Sequence, residues 1–167
     1  MKKLLKLDVS RSRHLGLGQI YKLEKKCQRE LTLSERIFLV HLGSTQVLLE
    51  IIFHSKIDFE VVKQEEKAHK VRRDVAMHLA NSRKVLVLAS SCVYKDKLPA
   101  GILIDLRQRK TGLGSILANH KVITSRHITS IGCDKGTSSI FRTYNIHCRG
   151  SVLAEIIEVF NTDLWKS

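Results

Sequence analysis

The sequence predicts an α+β fold built on a six-stranded antiparallel sheet, and three features predict it. Six runs alternate apolar and polar residues as half-buried strands do, short polar turns separate them, and helical periodicity intrudes at only two places. No segment repeats at a spacing of roughly 20 to 50 residues, which sets aside solenoids and propellers. A chain of 167 residues, 43% of them hydrophobic, can bury about two thirds of its unfolded surface in one core. A single domain over residues 1–167 is therefore expected.

Residues 1–33 lack a sustained period and contain Leu15-Gly16-Leu17-Gly18, so they read as an irregular start with short helical pieces ahead of a core over 34–160. Ser34 opens a helix with Ile37, Phe38 and His41 at helical spacing, and Gly43 closes it as a C-terminal cap. A second helix begins at Ser44 or Thr45, with Val47, Leu48, Ile51 and Ile52 as its apolar stripe. The period then changes: Ile57, Phe59 and Val61 point one way, Asp58, Glu60 and Val62 the other. The runs His69 to Asn81 and Lys84 to Tyr94, joined by Asn81-Ser82-Arg83, should pair as a hairpin. Pro99 breaks the chain, and helical pieces broken by Gly112-Leu113-Gly114 extend to Leu117. Val122 to Ile131, Ile140 to Cys148 and Val152 to Phe160 form a closing meander, with turns at Gly132 to Thr137 and Arg149-Gly150.

The formal charge of +13 favours anionic partners, but the basic residues lie in scattered twos and threes, the pattern of a solvated surface. No helix-turn-helix, finger or stacking platform accompanies them, so nucleic acid is not the expected partner. Cys27, Cys92, Cys133 and Cys148 include no Cys-x-x-Cys pair, and free buried thiols in a reducing compartment are expected rather than a disulfide framework. Asp8 and the polar run Ser10 to His14 interrupt any signal-peptide stretch, and no window approaches the ~20 apolar residues of a membrane-spanning helix. The reading is a soluble protein. Trp165 reads as a terminal apolar anchor.

Familiar chemical motifs are missing. Neither Gly16-Leu17-Gly18 nor Gly112-Leu113-Gly114 is a dinucleotide fingerprint, no Gly-x-Ser-x-Gly elbow occurs, and His120 and His127 fit no metal-ligand spacing. What stands out is charge inside apolar strands. Alternation places Arg73 with Val75, Met77 and Leu79, and in Val152 to Phe160 either Glu155 or Glu158 must share a face with apolar neighbours. A buried guanidinium or carboxylate is costly unless it is paired or holds a ligand. Periodicity leaves open a structural ion pair, a functional pocket or a solvated sheet face.

Several segments resemble the chorismate-lyase family, in particular its archaeal, cyanobacterial and plastid branch. They are Glu35 to Leu39 running into Gly43-Ser44-Thr45 and Leu49-Glu50, the strand Ile57 to Gln64, Arg73-Asp74-Val75, Ala89-Ser90-Ser91, Leu98-Pro99 and Leu113-Gly114. Arg142-Thr143-Tyr144-Asn145-Ile146, Gly150 and Glu158-Val159-Phe160 complete a match over roughly residues 34–160. The resemblance implies an antiparallel sheet with helices covering an internal ligand cavity under two helical flaps, and elimination of pyruvate from chorismate to leave 4-hydroxybenzoate. It implies no cofactor and no metal, and a cytoplasmic or plastid-stromal setting.

Carried over by residue, Arg73 would hold the ring carboxylate, the backbone amides of Thr45 and Leu113 would assist at helix starts, and Glu158 would face the other end of the ring. On that basis the expected mechanism is an acid-assisted elimination, Glu158 donating a proton and Arg73 anchoring the dianion. Bacterial members carry an arginine where this chain has Ser90, so one cationic contact fewer is expected. Two other readings stand beside the enzyme. One is a non-catalytic module of the same fold that binds an aromatic acid or effector, although residues 1–33 are too short for the DNA-binding domain that such modules accompany. The other is a basic nucleic-acid-associated protein.

Overall fold

The computed structural model describes residues 4–10, 15–80, 82, 84–134, 137 and 139–165. One antiparallel sheet organises it: β1 (Leu4–Asp8), β2 (Ile57–Glu66), β3 (Lys70–Leu79), β4 (Val85–Tyr94), β5 (Ser125–Asp134), β6 (Ile140–Cys148) and β7 (Ser151–Phe160). Their spatial order is β1-β5-β6-β7-β4-β3-β2. The sheet thus has seven strands where the sequence predicts six. The additional one, β1, is an edge strand whose Leu4-Leu5-Lys6-Leu7-Asp8 is too short to establish a period without its partner β5.

The helices are α1 (Leu17–Cys27), α2 (Leu33–Val40), α3 (Thr45–Phe53), α4 (Ala100–Arg107) and α5 (Leu113–Asn119). Residues 1–33 are therefore more regular than expected. The Gly16 and Gly18 that read as flexible instead start α1, with Gly16 at its N-cap, and Ile20 and Leu23 are buried one turn apart. Thr32 caps α2 by accepting from the Glu35 amide, while the Glu35 carboxylate accepts from the Thr32 amide, a reciprocal box that starts the helix at Leu33, one residue before Ser34. Its other end lies at Val40 and His41, before Gly43.

Along β3, β4, β6 and β7 one face is buried at alternate positions, with Ala76, Leu86, Phe141 and Leu153 buried out of phase. Val71, Arg73 and Met77, then Val87, Ala89 and Val93, then Ile140, Arg142, Tyr144 and Ile146, then Ala154, Glu158 and Phe160 are all buried. The helices supply Leu23, Phe38, Leu39, Leu49, Ile102, Leu106, Ile116 and Leu117 to the same core. Trp165 packs on Phe38 and Phe160, with ring centroids 4.6 and 6.0 Å away, so it acts as the expected terminal anchor.

Turn chemistry fixes the registers. Arg149 and Gly150 both have positive φ, 48° and 78°, as a two-residue hairpin requires between Cys148 and its partner Ser151. β3 and β4 pair antiparallel as expected. Of their Asn81-Ser82-Arg83 connection, Asn81 and Arg83 lie outside the described residues, as do 135 and 136 of the Gly132 to Thr137 turn and most of the run from Ser10 to His14.

The expectation of free thiols is corrected for two cysteines. Cys27, at the end of α1, forms a disulfide with Cys133 on β5, across 106 residues of sequence. Such a pair has no local spacing, since only the docking of α1 on the sheet brings the two together. Cys92 and Cys148 are free. Among the described residues, no helix is long and apolar enough to cross a membrane.

Candidate functional site

Between the inward face of the sheet and the starts of α3 and α5 lies a cavity of about 80 Å³. Arg73, Ser91, Tyr144 and Glu158 line it from the strands, Thr45 and Leu113 from the two helices. The sequence-derived site residues are thus brought to one place. Arg73 and Glu158 are on the same side of the sheet and only 2% and 3% exposed. Arg73 pairs with Ser91, Ser91 with Ile156, and Glu158 lies two residues further along β7. Two strand spacings and two residues put their Cα atoms roughly 12 Å apart. Glu155 faces the opposite side, exposed, and accepts from the Tyr94 hydroxyl at 2.7 Å.

The two buried charges are satisfied in opposite ways. Both oxygens of Glu158 are occupied: Oε2 accepts from Arg142 Nε at 2.8 Å and is ion-paired with Nη2 at 2.8 Å, and Oε1 accepts from Thr45 Oγ1 at 2.8 Å and Tyr144 OH at 3.0 Å. Arg142 is itself saturated. Its Nη2 donates to Thr45 Oγ1 at 3.0 Å, and its Nη1 donates to the carbonyl of Phe38, at 2.7 Å, and to that of His41. Those carbonyls end α2, so the guanidinium sits at the negative end of that helix. Burial, then the Glu158 charge, push the Tyr144 hydroxyl well above the usual phenol range, so it remains a neutral donor.

Arg73 has far fewer partners. Nη2 donates to the Thr111 carbonyl at 2.7 Å and the guanidinium lies 5.4 Å from the centre of the Phe59 ring. Nε and Nη1 are buried with no hydrogen-bond partner among the described residues. Burial, assisted by the charge of Arg109, lowers its pKa to about 10, which leaves it cationic at neutral pH. Two unpartnered donors on a buried cation that lines a cavity mark a candidate anion site. Thr45 and Leu113 are the first residues of α3 and α5, where helix geometry leaves backbone N–H groups free.

Two further arginines at the candidate site escape the sequence reading. Arg142 appears there only as part of a motif, yet it alternates with Ile140, Tyr144 and Ile146, the same signal that singles out Arg73. Arg126, on β5, also lines the cavity, and its neighbours Ser125 and His127 give no apolar period to mark it. The expectation attached to Ser90 is corrected as well. Ser90 is exposed on the outer face of the sheet, pointing away from Arg73, so it cannot mark a lost contact in the cavity.

The chain is 29% identical over 158 residues to a protein of Methanocaldococcus jannaschii named "Putative lyase MJ0807", a match spanning 84% of this chain and 86% of that one. In structure it is similar to the effector domain of PhnF from Mycobacterium smegmatis, with a TM-score of 0.55 at 9% identity over 74% of this chain and 91% of that domain. The fold is chorismate-lyase-like. The chain matches no protein-family model.

Proposed function

We propose that this protein is a lyase that eliminates pyruvate from chorismate to leave 4-hydroxybenzoate. The observation that carries the reading is the pair of unpartnered, buried guanidinium nitrogens of Arg73, set in a cavity across from a carboxylate. Likeness to an archaeal protein named as a lyase adds weight.

In this reading Arg73 takes the ring carboxylate through Nε and Nη1, and the helix-start amides of Thr45 and Leu113 supply further donors. The proton-donor role drawn for Glu158 from the sequence is revised. Its oxygens already accept three hydrogen bonds and Oε2 is ion-paired with Arg142, an arrangement that suits a proton acceptor better than a proton donor. As the one carboxylate lining the cavity among the described residues, Glu158 instead takes the proton from the ring carbon that bears the hydroxyl. The electrons of that C–H bond form the ring double bond, the ether C–O bond breaks, and enolpyruvate leaves. The same proton, returned to its methylene carbon, gives pyruvate.

The likeness to an effector domain favours a second reading, a module that holds an aromatic acid without cleaving it. Incubation with chorismate separates the two. Release of pyruvate and 4-hydroxybenzoate, lost in Arg73→Ala and cut by about a hundredfold or more in Glu158→Gln, is expected for the lyase. Binding of 4-hydroxybenzoate without turnover of chorismate would leave the module.

A further inference from the structure

Arg126 is the one cation of the cavity that the reading above leaves without a task. It faces inward on β5 in register with the buried Ile146, and its guanidinium lies 5.4 Å from the centre of the Tyr144 ring, whose hydroxyl reaches Glu158. Nη1 donates to the carbonyl of Gly43, in the connection between α2 and α3. On the other flap, a Cβ added at Gly114 in the first turn of α5 would stand 3.3 Å from Nη2, so a side chain there would crowd the guanidinium. One side chain thus spans the gap between the two helix starts that cover the cavity.

Charge assigns it more than a bridging role. Arg73 and Arg126 line the site, and its one acid among the described residues, Glu158, is already paired with Arg142. No carboxylate pairs with Arg126 among the described residues. Two positive charges are left over. Their strands, β3 and β5, are four positions apart in the sheet, about 19 Å between backbones, so the two long side chains enter one small cavity from opposite ends.

We propose that Arg126 is the specificity-determining residue for a second anionic group of the ligand, and that this contact clasps the two flaps over it. The inference rests on the anion-site reading of Arg73 and deepens it: the cavity selects aromatic ligands carrying two separated carboxylates over those carrying one. Turnover need not occur for this to hold, because selection is a property of binding.

Benzoate and 3-(carboxymethoxy)benzoate, which adds a second carboxylate on an ether arm, are the probes, titrated calorimetrically into the full chain. Wild type should bind the dicarboxylate at least about tenfold more tightly. Arg126→Gln should erase that preference while changing benzoate affinity less than about threefold, Arg126→Lys should keep part of it, and Arg73→Ala should lose both ligands. Equal affinity of wild type for the two probes, a preference that survives in Arg126→Gln, or equal weakening of both probes by that variant would each overturn the proposal. So would binding of neither probe, and that result would remove the anion site too. If wild type prefers the dicarboxylate but releases no pyruvate from chorismate, the lyase reading fails and the role of Arg126 stands.

Discussion

Arg142 and Arg73 are both all but inaccessible, 1% and 2% exposed, and both sit among apolar residues on inward strand positions, yet they do opposite things. Arg142 meets a carboxylate, a hydroxyl and two helix-end carbonyls, whereas Arg73 meets one carbonyl and a ring. Burial does not separate these two arginines; the number of partners each finds does. The strongest attack on that distinction is Arg142→Met. It leaves Glu158 buried without its counter-charge and frees the last carbonyls of α2, which should cost about 3–5 kcal/mol in urea unfolding. A double variant that also replaces Glu158 by Leu should recover most of the loss, since an apolar pair of similar volume removes both desolvation costs. A single variant as stable as wild type would mean that the buried pair is worth nothing and that the contrast is empty.

Arg73→Met should behave in the reverse sense. Removing a cation with two unpartnered donors relieves a standing cost, so the ligand-free variant is expected to be at least as stable as wild type, by up to ~2 kcal/mol. What it should lose is linkage. An aromatic acid at a hundred times its Kd stabilises wild type by about 2.7 kcal/mol and should leave the variant's melting temperature unmoved. Destabilisation of the ligand-free variant by more than ~1 kcal/mol would reclassify Arg73 with Arg142 as a structural charge.

The contrast also explains how far the sequence could be read. Strand alternation is local, so it set Arg73 among apolar side chains and required one of Glu155 and Glu158 to join them, and the family resemblance selected Glu158. Partnership is not local. Arg142 reaches Glu158 across 16 residues, Thr45 across 97 and Phe38 across 104, and no window of the chain shows that one arginine will be saturated and the other left open. The same limit hid the Cys27–Cys133 bond and β1, whose partner lies in β5. It also hid the direction of Ser90, which faces away from the cavity while its neighbour faces in, because the side-chain period of a strand is two. Ser91 is the neighbour that lines the cavity, and its hydroxyl donates to the Arg73 carbonyl at 3.3 Å.

The two ends of α2 repeat the comparison at smaller scale. Its C-terminal carbonyls are held by the buried Arg142, its N-terminus by Glu35, which accepts from Arg29 at 2.8 and 2.9 Å and from the Thr32 amide at 2.8 Å. Burial opposes the Glu35 charge, but the hydrogen bonds from Arg29, Thr32 and Thr162 outweigh it and hold the carboxyl below its usual value. A carboxylate depressed in the folded state adds stability that is fully present above its unfolded pKa, near 4.5, and is lost as pH falls through the lower folded value. Wild type should therefore lose stability below about pH 4.5 faster than Glu35→Gln, which keeps most of the box geometry without the titration. At pH 7 the variant should be weaker by only ~1 kcal/mol, because its amide can still accept from Thr32. Parallel stability-against-pH curves for the two proteins between pH 3 and 6 would show that folding does not lower the Glu35 pKa. The N-terminus of α2 would then be held by capping geometry alone, and only its C-terminus by charge.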